Sequence, residues 1–401
     1  MRRGPIETGR ACLHSRAECL PAFHHHGSSS MTDTHGLKII STLTDDGRLV
    51  VELAEESLPP PQGHEILIRV EAAPINPSDL GLLFGPADVA DADYGEGRIV
   101  AQMPDGARRA MAARVGQAMP VGNEGAGTVI AAGDSAQAQA LLGKRVACVP
   151  GGMFAQYRIV DARTVMPLPD EATAEQGASA FVNPLTALGF VETMRRDGHG
   201  AIVHTAAASN LGQMLVRIAR EDGVPLVNIV RSPAQVAILK GVGADHVVDS
   251  SSETFGEDLR VALRATGATL AFDAIGGGTL VGQILHAMEQ VASEGQVYSR
   301  YGSNSAKSAY IYGALDTGPT ILNRNFGFSW NVGGWLLFPF LQSAPSEVGE
   351  RMRARVRDSL TTTFASSYKA RISLKDALTR EAVLTYNARR TGEKYLLVPN
   401  G

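Results

Sequence analysis

The strongest constraint on the fold is an alternation of strand-like and helix-length segments between residues 201 and 298. Segments 201–205, 225–230, 246–249, 269–273 and 296–298 are short, apolar and rich in β-branched residues. Stretches 211–221, 233–241, 256–265 and 281–291 fill the gaps with helical spacing. A strand that runs parallel to its predecessor needs a crossover of about a dozen residues or more, and a helix supplies it. Repeated βα units of this length predict an α/β fold with a doubly wound parallel sheet.

Upstream the pattern is different. From Leu37 to about Val160 the chain reads as β-rich, with runs at 65–70, 127–131, 145–149 and 155–160 bounded by Gly, Pro or Asp. Residues 86–120 interrupt it as a long Ala-rich insertion, read as a loop with one helix near 106–116 and a candidate lid. After Pro345 come one helix, shorter segments and a terminal strand at 395–398. A chain of 401 residues exceeds what one core serves. The expected division is an extension over 1–35, a β-rich domain over 36–182, a dinucleotide-binding domain over 183–328, and a return to the first domain over 329–401.

The extension has no amphipathic period. It carries Arg2, Arg3, Arg10, Arg16, the triplet His24-His25-His26 and a Gly-Ser run, without the apolar core of a signal peptide. It reads as disordered or tag-like, with Met31 as a natural start. A net charge of −4 and the lack of a basic stripe exclude a nucleic-acid footprint. The most apolar stretch, 326–341, is broken by Asn331, Gly333, Gly334 and Pro339, so no membrane span is expected. Three cysteines, Cys12, Cys19 and Cys148, imply no disulfide framework and fit a reducing cytoplasm.

The first βα turn reads Thr205-Ala206-Ala207-Ala208-Ser209-Asn210-Leu211-Gly212. Small residues let the backbone turn tightly and approach a pyrophosphate, which the helix N-terminus then receives. Ala208, Ser209, Asn210, Leu211 and Gly212 are therefore candidate cofactor contacts. Where NAD-specific folds carry a carboxylate for the adenosine ribose, this chain has Arg231 and Ser232. A guanidinium takes a phosphate through paired charged hydrogen bonds, so NADP(H) is favoured. The alternative is a solvated arginine at a helix start.

Several further motifs recur in order along the chain: Asn76-Pro77-Ser78-Asp79, 122–127, Asn183-Pro184-Leu185-Thr186-Ala187, Gly243-Ala244-Asp245, 272–277 and Gly392-Glu393-Lys394. On these, the chain resembles the zinc-independent medium-chain dehydrogenases/reductases, the group of quinone oxidoreductases and enoyl-thioester reductases, from about Leu37 to Pro399. The resemblance implies a GroES-like β-rich catalytic domain built from both chain ends, a Rossmann domain inserted between them, and a homodimer. It places Thr186 beside the nicotinamide and Ala274, Ile275 and Gly276 along the cofactor cleft. Tyr301, shortly after the predicted fifth strand, completes the candidate cofactor set.

Zinc-dependent relatives have a cysteine at Asn76 and a Gly-His-Glu at 122–124, and of that family's metal ligands only Glu124 is kept here. Tetrahedral zinc needs three or four N, S or O ligands, so no metal is expected. The expected activity is hydride delivery from NADPH to the conjugated double bond of a small unsaturated carbonyl compound or quinone. Asn76 and Asp79 stand where relatives line the active site, Asn76 as an orienting donor or as a turn residue before proline. Enoyl-thioester reductases place a tyrosine just after this motif. Here Gly85-Pro86-Ala87 occupies that place, and Tyr94 on the insertion is the substitute candidate. The rival readings are a zinc-free alcohol or aldehyde oxidoreductase and a weakly catalytic NADPH-binding sensor.

Overall fold

The computed structural model describes residues 33–401, so the histidine triplet, Cys12 and Cys19 fall outside the described residues. A strand already begins at Thr34, one residue before the expected extension ends.

The parallel sheet has six strands, in spatial order His246–Asp249, Leu226–Val230, Ile202–His204, Leu270–Asp273, Lys307–Ile311 and Trp330–Gly334. In chain order this is 3-2-1-4-5-6, with the crossover reversing between the first and fourth strands. The central strands Leu226–Val230, Ile202–His204 and Leu270–Asp273 are buried at every residue, which is why they read as continuous apolar runs. Their side chains alternate between two cores. Ile202, Leu270 and Phe272 pack with helices Val182–Arg196 and Asn210–Asp222. Val203, Ile229 and Ala271 pack with helices Phe255–Thr266 and Leu280–Ser293.

Two features depart from expectation. No strand forms at 296–298, where Val297 and Tyr298 are 94% and 90% exposed, and the fifth strand is Lys307–Ile311. A lysine hid that strand from a hydropathy reading. Lys307 is fully buried, and its charge is met by Glu289 Oε2 at 2.6 Å. The sixth strand, Trp330–Gly334, lies beyond residue 328, and helices Leu337–Ser343 and Ser346–Asp358 rest on Val182–Arg196. The parallel-sheet part thus continues to Asp358. Of the aromatic residues around it, Phe326 and Trp335 are core, whereas Phe328 is exposed.

The β-rich part holds a five-stranded and a seven-stranded sheet. Strand Glu65–Pro74 pairs with Gly125–Ala132, with Tyr157–Asp161 and with the last strand, Tyr395–Leu397. The two ends of the chain therefore meet in one sheet. The 86–120 insertion is not a free loop. Its strands Asp93–Gly95 and Arg98–Gln102 extend the sheet from Arg48–Leu58, and Ala118–Pro120 pairs with Thr34–Leu43. Its helix, Asp105–Ala110, is shorter than expected and is followed by the 3-10 turn Ala112–Arg114. No helix among the described residues is long and apolar enough to cross a membrane.

Candidate active site

The turn after strand Ile202–His204 follows from its small side chains. Ala206 adopts a left-handed backbone, φ +50°, which a Cβ makes unfavourable and which a tight phosphate-binding turn demands. Ser209 caps helix Asn210–Asp222, its hydroxyl accepting from Gly212 N at 3.2 Å. Only glycine fits at 212, because a Cβ there would stand 2.0 Å from Ala207 O. Asn210 Nδ2 reaches Ser367 O at 3.5 Å, and Leu211 is buried in the core beneath the turn beside Ala208.

Asp273 ties this turn to the fourth strand. Its Oδ1 accepts from the Thr205 hydroxyl at 2.6 Å and its Oδ2 from Gly276 N at 2.7 Å. Thr205 Oγ1 in turn accepts from Ala274 N at 2.9 Å. The Ala274-Ile275-Gly276 loop and the fingerprint turn are thereby locked together at the carboxyl ends of adjacent strands, the place where open α/β sheets bind ligands. Arg231 and Ser232 end the second strand on the same edge. Ser232 caps helix Pro233–Gly241, and Gln235 of that helix accepts from Arg231 N at 3.0 Å. The Arg231 side chain is exposed and makes no ion pair or hydrogen bond among the described residues.

Tyr301 does not join this group. With the fifth strand at Lys307–Ile311, Tyr301 precedes the strand and lies at the opposite, amino-terminal edge of the sheet, packed against Phe328. The residue that follows the strand on the cleft edge is Tyr312, whose backbone N–H donates to Asp273 O at 2.9 Å.

A second polar cluster forms where the β-rich part meets helix Val182–Arg196. Asn76 caps helix Pro77–Leu83, and its backbone N–H donates to Asp79 Oδ2 at 2.7 Å. Asp79 Oδ1 accepts from Asn123 N at 2.7 Å. Asn76 Nδ2 donates to Glu124 Oε1 at 2.9 Å, and Glu124 Oε2 accepts from Phe181 N and Val182 N at 3.0 and 2.8 Å. Glu124 thus caps the helix whose first turns present Thr186, itself 6% exposed. Lys394 donates to Ser179 Oγ at 2.8 Å, and Ser179 shares a hydrogen with the Tyr368 hydroxyl at 2.9 Å.

Asn76, Asp79 and Glu124 are all at most 2% exposed. Burial pushes Asp79 up to about 7, with the nearby Glu124 charge adding, against the opposing backbone N–H groups and Lys394. Burial raises Glu124 too, opposed chiefly by Lys394. The same burial brings Lys394 down to about 8 despite both carboxylates. One polar atom stays unmet: Asn76 Oδ1 is buried without a partner. Its position is secure because the amide nitrogen, not the oxygen, must face a carboxylate.

Tyr94 stands outside this cluster. It lies on strand Asp93–Gly95, its hydroxyl donates to Val89 O at 2.7 Å, and its ring faces Arg380. Its proton is engaged within the insertion because that segment became sheet rather than lid. Sequence reasoning left Glu124, Ser179, Tyr368 and Lys394 out of the site. Glu124 and Lys394 sat in recognised motifs, so a signal existed for them. Ser179 and Tyr368 carried none. Among the described residues no group of three or more His, Cys, Asp or Glu is placed to hold a metal ion.

Comparison with known proteins fits this geometry. Residues 62–170 match the family described as alcohol dehydrogenase GroES-like domain. Bovine mitochondrial enoyl-[acyl-carrier-protein] reductase is 26% identical over 298 residues, covering 70% of this chain and 73% of its own length. Bovine prostaglandin reductase-3 is 26% identical over 245 residues, 60% of this chain, and the match spans only 57% of that protein. A solved structure from Mesorhizobium loti, of a protein thought to be an NADPH:quinone reductase, superposes with a TM-score of 0.70 at 25% identity. It covers 92% of this chain and 100% of its own.

Proposed function

Taking the chain as a medium-chain dehydrogenase/reductase of the zinc-independent group, we propose that it uses NADPH to reduce the conjugated double bond of a small enone, quinone or enoyl thioester. The observation that carries the cofactor choice is the exposed guanidinium of Arg231, unpaired among the described residues, beside the Ser232 hydroxyl at the end of the second strand. A 2′-phosphate satisfies both, and no carboxylate holds the position that would select the ribose hydroxyls of NADH. The orphaned Asn76 Oδ1 and the tight Ala206–Gly212 turn also fit a dinucleotide.

When bound, the cofactor supplies the hydride. The N-terminus of helix Asn210–Asp222 would hold the pyrophosphate, with the Ala274–Gly276 loop and Thr186 as the further residues that would bind the cofactor. Asn76 would supply its second amide hydrogen to the reacting end, its other hydrogen being fixed by Glu124. A rigid donor of this kind stabilises negative charge as it grows on a carbonyl oxygen. The relatives support the substrate class: their names specify enoyl and quinone acceptors, which share a double bond conjugated to a carbonyl. The Trp330–Gly334 strand ends its sheet with one side unpaired among the described strands, and we assign it to a homodimer contact.

The test is titration of NADPH and NADH into the wild type and Arg231→Ala, followed by turnover with a panel of enones and quinones. NADPH should bind at least tenfold tighter, and the substitution should remove about 1.5–3 kcal/mol of NADPH binding while sparing NADH. Equal affinities would refute the role of Arg231. Tight NADPH binding without turnover of any acceptor would favour a sensor over a reductase.

A further inference from the structure

The 86–120 insertion reaches the active site from behind. Arg114, on the turn Ala112–Arg114, donates from Nη2 to Leu82 O and to Ser41 Oγ, both at 2.7 Å. The Ser41 hydroxyl donates onward to Leu83 O at 2.8 Å, and Ser41 is fully buried. Leu82 and Leu83 close helix Pro77–Leu83, the helix that Asn76 opens. A helix of this length has too few internal hydrogen bonds to hold itself, so its ends decide where it lies. At the amino end Glu124 and Asn123 fix Asn76 and Asp79. At the carboxyl end the carbonyls carry partial negative charge, and a guanidinium is its complement.

A second observation separates this contact from ordinary packing. Arg114 Nε and Nη1 are buried with no hydrogen-bond partner among the described residues, and burial lowers the pKa of the group. Buried donors left unmet cost stability, and natural chains satisfy nearly all of them. Where a local rule is broken without a packing gain, a functional position is the usual reason.

We propose that Arg114 is a positioning residue of the active site: through Leu82 and Ser41 it fixes the helix that presents Asn76, and the insertion serves as a brace behind the site instead of a cover over it. This rests on the reading of Asn76 as the group that orients the acceptor. Arg114 touches neither Asn76 nor the cofactor turn, so its effect travels only through the helix.

The experiment compares wild type, Arg114→Met, Arg114→Lys, Asn76→Ala and the double variant Arg114→Met/Asn76→Ala. NADPH affinity, acceptor kcat and KM, and amide hydrogen exchange at 77–83 are measured on each. Arg114→Met should leave NADPH affinity within about twofold, lower kcat by about tenfold or more, and speed exchange at 77–83 by a similar factor. Arg114→Lys should recover part of kcat, because an ammonium still reaches a helix carbonyl. The double variant should be no slower than Asn76→Ala alone, since both act through one group. Unchanged exchange at 77–83 in Arg114→Met overturns the proposal whatever the activity. So does a fall in thermal stability with kcat and KM unchanged, or an additive double variant. An Asn76→Ala protein with wild-type kcat overturns the Asn76 reading and this inference with it. Failure to bind NADPH counts against the proposed function alone, because the exchange measurement still decides the brace.

Discussion

The fingerprint turn is contiguous in the chain, whereas the polar cluster around Asn76 is gathered from distant segments. From Thr205 to Gly212 the residues meet local demands, with a left-handed turn at Ala206, a cap at Ser209 and a missing side chain at Gly212. Asn76, Asn123, Glu124, Ser179 and Lys394 instead come from the end of one strand, the start of another, the approach to helix Val182–Arg196 and the residue before the last strand. The turn tolerates little because its backbone is crowded. The cluster is held by buried charges, so it answers to pH and to the loss of a partner.

Substitutions can break or sharpen that contrast. The largest effect is expected for Gly212→Ala, whose Cβ would press to 2.0 Å from Ala207 O, a backbone atom with nowhere to go. A loss of about 3 kcal/mol or more in stability, with NADPH binding lost, is expected from thermal unfolding and titration. If binding survives, the turn is softer than its geometry implies.

A smaller effect, visible only against pH, belongs to the polar cluster. Asp79 binds its proton more tightly in the folded protein, at about 7, than its ordinary value of 3.8 allows. Between those values the folded state carries more bound proton than the unfolded chain. This contribution to stability is therefore complete below the lower value and is lost as pH rises through the upper one. Denaturant unfolding across that range should show a shallower pH slope in Asp79→Asn than in wild type. Identical slopes would mean that the backbone N–H groups and Lys394 fully offset the burial.

The smallest effect is expected at Tyr94. Tyr94→Phe deletes one hydrogen bond to Val89 O within the insertion. Stability should fall by about 1 kcal/mol and acceptor turnover should stay within about twofold. A tenfold fall in kcat would return Tyr94 to the site and undo the division between insertion and site.

The sequence showed its limits at particular residues. The four βα units were legible because fully buried strands are continuous apolar runs and their crossover helices are amphipathic. The fifth strand was misplaced because Lys307, a charged residue, opens it, and its partner Glu289 is on the preceding helix. Tyr301 falls away from the fingerprint turn as a direct result, since a strand moved by about ten residues exchanges one edge of the sheet for the other. The insertion read as a lid because short strands such as Asp93–Gly95 are too brief to show alternation.

By itself the sequence determined the βα order, the tight dinucleotide turn and the missing acidic residue after the second strand, since each depends on neighbours within a few positions. Tertiary structure decided which carboxylate holds Asn76, where Lys394 returns, and that Arg114 meets the end of the Asn76 helix. Those contacts join residues far apart in the chain. Their strength comes from burial, and burial exists only once the sheets have closed around them.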